Sequence, residues 1–460
     1  MTESPPRSPM RTVGLAAAAA IVVGNVIGTG VYTSLGFQVA AFPSSGFVIL
    51  LLWLVGAVIA LSGALSYAEL CAAQPQSGGE YHLLSKAIHP AAGFLSGWIS
   101  ATVGFAAPVA GAALALGAYA EGIAGDASWL GAGAGTWLGA ATIVLCAAVH
   151  CTTTRAASRF QTVFTAGKAL LVAALAAAAF VFGSDSGTAF KPLPGDLELA
   201  FSPAFAVSLI WVTYAYTGWN AAAYIAGEIR DPARLVPRAL IGGTLAITAL
   251  YLALHAGMLY AAPAEVLRGK PEVALEAAKA FLGERGGAIA GGLICFGLIS
   301  TISAMIWAGP RVSMAMGEDY RALRFLARKN QAGVPVLAVL FQSALALILL
   351  FTGTFKTIIE YTQITLTLSS ALAVAGVFVQ RWRQPDLPRP YRCWGYPVTP
   401  LVFLAASAWI LWNSFSGEGT RLQSLYGLAT IAAGLLLYFP LKALGQGKGA
   451  SASRGGSDSD

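Results

Sequence analysis

Apolar residues gather into twelve stretches, each near the length of about 17–25 residues that a helix needs to cross a bilayer. They run over 13–41, 46–73, 90–119, 129–150, 160–183, 201–229, 238–262, 286–316, 335–352, 356–380, 398–415 and 423–442, with polar residues confined largely to the connections. This pattern predicts an all-α integral membrane chain of twelve transmembrane helices. Several stretches are longer than a bilayer requires, which predicts tilted or broken spans.

Two stretches are interrupted at mid-depth. In the first, Gly24-Asn25-Val26-Ile27-Gly28-Thr29-Gly30-Val31 cuts the apolar run from Val13 to Phe42. Glycine costs about 1 kcal/mol relative to alanine inside a helix, so its clustering here favours unwound backbone. Such backbone is tolerated at membrane depth only where it is buried in protein or lines a cavity. A helix restarting near Thr29 would present free N–H groups and a partial positive charge to a carboxylate. The alternative is close helix packing, which small residues at this spacing also permit. In the sixth stretch, Trp211-Val212-Thr213-Tyr214-Ala215-Tyr216-Thr217-Gly218-Trp219-Asn220 brings polar groups and a glycine to mid-span. Paired broken helices in two halves of a chain point to a transporter built from inverted repeats, and an offset of five spans, being odd, inverts the second half.

Composition and charge narrow the class. Hydrophobic residues make up 57% of the 460 positions and charged residues 11%, which no soluble globular chain carries. With the N-terminus placed in the cytoplasm, 20 Lys/Arg fall on that side, among them Arg7, Arg11, Lys86 and Arg155, and only seven on the other. The asymmetry obeys the positive-inside rule and accounts for the net charge of +7 without nucleic acid. The N-terminal apolar run continues past the length of a signal-peptide core, so it reads as an uncleaved first span. Cys71, Cys146, Cys151, Cys295 and Cys393 form no CxxC pair, and neither a metal site nor an external disulfide is expected.

The residues resemble the amino acid-polyamine-organocation superfamily, and within it the L-type amino acid transporters and their bacterial relatives. The resemblance rests on GNVIGTGV in span one, on LSYAELCAAQPQSGGEYHLLSKAIHPAAGFLSGW across span two, the first loop and span three, and on YAYTGWNAAAYIAGEIRDPARLVPRAL in span six and the loop after it. It implies the leucine-transporter-type fold: five-helix repeats over 13–183 and 201–380 in inverted order, helices eleven and twelve over 398–442, and cytoplasmic tails at 1–12 and 443–460. It also implies that the amides of Gly28, Thr29 and Gly30, beside Ile27, hold a substrate carboxylate. Carbonyls around Tyr214, Ala215, Tyr216 and Thr217 would hold its ammonium, with Tyr214 as an aromatic lid and Gly218 as the unwinding glycine. Asn220 stands where relatives that exchange cationic amino acids carry glutamate, a departure that argues against a cationic substrate.

Lys168 lies eight residues after Phe160, about 12 Å into a core about 30 Å thick. An unpartnered charge there costs at least about 2.5–3.5 kcal/mol; snorkelling toward the cytoplasm is the structural alternative. The resemblance implies that its ammonium takes the place of a sodium ion between spans one and eight, with Ser300, Thr301 and Ser303 as oxygen partners. Glu69 and Glu228 are expected to pair with arginines of the cytoplasmic loops, Glu228 with the 230–238 cluster. Glu360 is expected to be solvated near the outer surface, and His255 to be a hydrogen-bonded packing residue.

The expected function is sodium-independent secondary transport of neutral L-amino acids by alternating access, as an exchanger or a proton-coupled carrier. The expected location is a cell membrane of bacterial inner-membrane type, with both termini cytoplasmic. No cofactor is expected. Nor is a disulfide-linked subunit, because the loop from Glu121 to Ser128 lacks the cysteine that joins animal L-type transporters to an accessory glycoprotein. A permease for polyamines or other organic cations is the runner-up and would need carboxylates in the broken segments. A channel would need repeated polar rings, and an intramembrane enzyme a nucleophile with a base or a metal set; neither pattern is present.

Overall fold

The computed structural model describes residues 13–76, 79–125, 133–152 and 155–445, with the backbone alone over 155–164. The tail 1–12, most of the tail 443–460 and part of the 121–128 loop fall outside the described residues.

The described chain is helical, with two isolated bridges (Val13 with Ile229, Ser45 with Ala189) and no named strand. It opens on α1 (Leu15–Val26) and α2 (Gly30–Ala41), bent by 42° across Ile27 to Thr29. Then come α3 (Gly46–Ala73) and the short α4 (Gly79–Ala87). The next apolar segment is α5 (Pro90–Ile99) joined to α6 (Ala106–Ala124) through a wider π-type turn at Ser100–Gly104. It is followed by α7 (Ala134–Thr152), α8 (Arg155–Phe182) and the single turn α9 (Asp196–Leu199).

The second half begins with α10 (Pro203–Tyr216), then the short α11 (Ala221–Tyr224), α12 (Pro232–Ala261) and the turn α13 (Ala264–Leu267). Next are α14 (Val273–Ala308), which turns at Gly283 where φ is 71°, and α15 (Pro310–Asp319). The chain closes with α16 (Val336–Thr352), α17 (Phe355–Arg383), α18 (Val398–Ser416) and α19 (Arg421–Ala443).

Among the described residues nine helical segments are long and apolar enough to cross a membrane, ten if the bent pair α1–α2 counts as one. Helices α10 and α16 are apolar but shorter. The sixth apolar stretch is helical only as far as Tyr216; beyond the break it makes four residues of α11 and a 3-10 turn at Ala226–Glu228. A glycine at φ +106° at position 218 stops α10, since that region of backbone space is open to few other residues.

The core is where α1, α2, α3, α6, α10, α12 and α14 converge, and it is filled by small and aromatic side chains. Small residues let backbones approach, and in lipid that close packing replaces the hydrophobic drive. Gly24 packs against Thr165 of α8, and Gly56 of α3 against Val212 of α10. Phe37 of α2 stacks on Trp211 of α10 with ring centroids 4.1 Å apart and planes within 6°. Phe355 adds a third ring 6.3 Å from Trp211.

Glu69 is fully buried at the other end of the bundle. It takes a two-pronged grip from Arg381 at 2.8 and 2.7 Å, a contact from Arg389 at 3.6 Å and the backbone N–H of Cys393 at 2.6 Å. Glu228 is exposed and forms no ion pair with the 230–238 arginines among the described residues. Glu360 departs from its expected solvation: only 1% exposed, it has Lys356 at 3.9 Å and one carboxylate oxygen without a hydrogen-bond partner among the described residues. Position near a helix end sets depth, not lateral exposure, and this residue faces inward. His255 is a packing residue: its Nδ1 lies 2.6 Å from the Tyr251 carbonyl and its ring stacks on Trp53 at 3.7 Å.

Candidate functional site

The break between α1 and α2 is a sharp local turn. Ile27 leaves helical geometry at φ −71°, ψ 85°, the Gly28 N–H turns back to the Val26 carbonyl at 2.8 Å, and Thr29 re-enters helical geometry to start α2. The first N–H groups of α2 therefore have no intrahelical acceptor, and they carry the positive end of its dipole. Thr29 and Gly30 are buried, and Gly28 is half-buried.

The break after α10 supplies the opposite pole. Thr217 leaves helical geometry at φ −55°, ψ 134°, and its N–H returns to the Tyr214 carbonyl at 3.0 Å. The Tyr216 carbonyl takes Trp219 N–H at 3.3 Å, and the Ala215 carbonyl takes the Tyr251 hydroxyl at 3.2 Å. Each of these carbonyls has a second lone pair to offer, and the α10 C-terminus favours a cation.

The two breaks touch. A Cβ built on Gly30 would lie 2.6 Å from the Ala215 Cα, and one built on Gly218 would lie 2.9 Å from the Asn25 carbonyl group. Only glycine permits this crossing. It brings the N–H end of one helix beside the carbonyl end of the other, an arrangement suited to a zwitterion. Tyr251 of α12 pins it: fully buried, its hydroxyl also reaches the Val26 carbonyl at 2.8 Å, so one side chain touches the carbonyl ends of both α1 and α10.

Other predicted residues fall around this crossing. Tyr214 is buried with its hydroxyl against Thr29, and a Cβ built on Gly111 of α6 would lie 3.7 Å from that hydroxyl. Tyr216 turns away, ring against Trp53 and Tyr251. The Thr217 hydroxyl meets Thr213 O at 3.1 Å and Gln363 Oε1 of α17 at 3.0 Å. Asn220 sits one residue before α11 and donates its side-chain amide to Glu80 at 3.0 Å.

Lys168 is 4% exposed and does not snorkel to the surface. Its ammonium donates to the Gly24 carbonyl at 3.1 Å and makes a longer contact of 3.5 Å with Thr301 Oγ1, joining α1 to α14 across α8. Thr301 Oγ1 donates in turn to the Gly297 carbonyl at 3.0 Å, which leaves its lone pairs facing the lysine. Ser300 and Ser303 are not partners. The Ser303 hydroxyl lies 2.8 Å from His150 Nε2, and the Ser300 hydroxyl is buried without a partner among the described residues. Helical geometry gives the reason, because each residue turns about 100° around the axis, so positions flanking Thr301 point elsewhere.

Sequence reading missed Tyr251 and Glu80. The signal for Tyr251 was a hydroxyl in the middle of an apolar span. Glu80 lies in a connecting segment, where a carboxylate raises no expectation of burial.

Comparison with known proteins places this geometry. The chain matches the family described as amino acid permease over residues 13–436. It is 28% identical over 447 residues to the serine/threonine exchanger SteT of Bacillus subtilis (strain 168), covering 94% of this chain and 97% of that one. It is 30% identical over 446 residues to the large neutral amino acids transporter small subunit 2 of Rattus norvegicus, covering 93% and 80%. To the b(0,+)-type amino acid transporter 1 of Mus musculus it is 26% identical over 447 residues, covering 95% and 89%. A match that takes in both breaks, the buried lysine and nearly every helix leaves no other class open: the chain belongs to the amino acid permease family of the amino acid-polyamine-organocation superfamily, and is a transporter rather than an enzyme.

Proposed function

We propose that the chain is a sodium-independent secondary transporter of neutral L-amino acids that works by alternating access, as an exchanger or a proton-coupled carrier. The observation that carries this reading is the crossing of the two breaks at Gly30 and Ala215, where the N–H end of α2 meets the carbonyl end of α10. The amides of Thr29 and Gly30, with that of Gly28 once it leaves the Val26 carbonyl, take the carboxylate beside Ile27, the carbonyls from Tyr214 to Thr217 take the ammonium, and Tyr214 covers the substrate. Asn220, uncharged where a cationic substrate would call for a carboxylate, favours a neutral one. The names of the relatives, a serine/threonine exchanger and transporters of large neutral amino acids, support the same class.

Twelve spans follow if the bent pair α1–α2 and the shorter α10 and α16 each cross the membrane beside the nine long segments. The repeats are then 13–183 and 201–380, with 398–442 appended and the tails 1–12 and 443–460 cytoplasmic in a bacterial inner membrane. Lys168 serves as a fixed cation in place of sodium. A single chain suffices for transport.

The test is uptake and counterflow of labelled amino acids in proteoliposomes holding the purified chain, with and without sodium and a pH gradient. Saturable counterflow of neutral amino acids in the absence of sodium is expected. Sodium-driven uptake, preference for polyamines, or activity only after a second subunit is added would each overturn the corresponding part.

A further inference from the structure

Glu80 is the first-turn carboxylate of α4 and is only 6% exposed. Its position depends on Gly79, which has φ +57° and lies so close to Tyr224 that a Cβ would fall 2.3 Å from the ring. No side chain larger than hydrogen fits there, so α4 starts where the ring allows, and Glu80 turns into the bundle.

Five donors from four other parts of the chain converge on it. Oε1 accepts from Tyr67 of α3 at 2.6 Å, from Asn220 Nδ2 at 3.0 Å and, more weakly, from Ser370 of α17 at 3.5 Å. Oε2 accepts from Ser369 of α17 at 2.9 Å and Ser96 of α5 at 3.2 Å. An ionised carboxylate accepts at about four lone-pair sites and donates nothing, so this set is matched to the anion. Four of the donors are hydroxyls, which can rotate to donate or accept. Asn220 alone has fixed polarity: against a carboxylate only its NH2 end can face Glu80, because the reverse would set oxygen against oxygen.

We infer that Glu80 is a positioning residue of the translocation site: by taking the Asn220 amide N–H, it leaves the amide carbonyl as the end offered to a substrate at the break. The inference rests on reading the broken segments as the substrate site and deepens it, because it gives the site beside Gly218 and Trp219 an acceptor. Substrates with a hydrogen-bond donor near the α-carbon suit that acceptor, and those with an acceptor or anionic side chain do not. It also ties the restart after α10 to α3, α5 and α17 through one buried carboxyl group.

The test exchanges donor and acceptor. In Glu80→Gln the Asn220 amide is free to turn over, and competition by amino acids with acceptor side chains should strengthen relative to the wild type. Asn220→Asp sets two carboxylates together, which cannot both ionise at hydrogen-bond distance, and should lower counterflow by about tenfold or more. In the pair Glu80→Gln with Asn220→Asp, the glutamine amide donates to the aspartate, the total charge returns to that of the wild type, and counterflow should recover to within about threefold. Ser369→Ala, which removes a donor without touching Asn220, should leave the competition profile unchanged. A pair no better than Asn220→Asp alone, or a Glu80→Gln profile identical to the wild type, overturns the inference. The unfolding temperature of the purified proteins reads the same pair without transport: Asn220→Asp should lower it and the paired change restore it. If no amino acid is carried but Tm is restored, the contact stands while the functional reading and the site role fall together; if amino acids are carried but neither counterflow nor Tm recovers, only the inference fails.

Discussion

Gly30→Ala adds one methyl group at the crossing of the two breaks, and its cost can be worked from the neighbours. The added Cβ would meet the Ala215 Cα at 2.6 Å, its Cβ at 2.8 Å and its backbone nitrogen at 3.0 Å. Two of the three are main-chain atoms, so no rotamer change relieves the overlap. Carbon atoms rest at about 3.5–4.0 Å, so the helices must part by about 1 Å. Overpacking of this kind costs about 1–3 kcal/mol, offset by at most about 1 kcal/mol from the better helix propensity of alanine. The upper end of that cost less the full offset leaves a net penalty of about 2 kcal/mol, about thirtyfold in an equilibrium constant. It falls on the closed crossing, so KM should rise by one common factor for every amino acid carried, and Tm of the purified protein should drop. Ala215→Gly in the same background removes the Cβ contact but neither main-chain contact, and should restore function only in part. Counterflow in proteoliposomes over several substrates gives the ratio. A variant with wild-type KM and Tm would show that the breaks do not cross here, and a loss confined to one amino acid would place Gly30 against a side chain instead of the shared carboxylate.

Other changes test separate parts of the frame. Lys168→Ala should cut transport steeply while membrane insertion stays normal, since removing a buried charge eases insertion; surface expression and uptake measured together would refute this if the rate is unaltered. Glu69→Gln breaks a buried, doubly hydrogen-bonded ion pair, and denaturation in detergent should show a loss of about 3–5 kcal/mol, with a change under about 1 kcal/mol counting against the clamp. Gly218→Ala must take φ +106° and press on Asn25; uptake and Tm should both fall, and normal values for both would remove the strain argument.

What the sequence could reveal followed from the range of the interaction. The two breaks were legible because clustered glycine in an apolar run is a local signal, and Lys168 because a cation at depth is costly wherever its partners lie. Gly30, Gly218 and Lys168 accordingly sit at helix crossings. The partners were less legible. Thr301 was identifiable only as one of three polar residues, Ser300, Thr301 and Ser303, and the side facing Lys168 depends on how α14 is rotated. Glu80 draws on donors up to 290 residues away in the chain, and no local pattern encodes that convergence. Glu360 was misread because hydropathy measures depth along the membrane normal and says nothing of which neighbours cover a helix face. The extent of the helix after Gly218 was overestimated for a similar reason, since an apolar stretch records burial, and turns packed inside the protein are as apolar as a helix.

The Tyr251 hydroxyl owns a single hydrogen. It lies 2.8 Å from the Val26 carbonyl and 3.2 Å from the Ala215 carbonyl, so it favours the first while still polarising the second. In the proposed pose, an ammonium arriving at Ala215 would take the second lone pair of that oxygen and weaken its pull on the hydroxyl, shifting the hydrogen toward Val26 and strengthening the hold on the end of α1. Departure of the ammonium would let the hydrogen be shared again and loosen that hold. With an ammonium so placed, occupancy of one broken helix would be felt at the other through a proton that never leaves its oxygen, and Tyr251→Phe would remove that link.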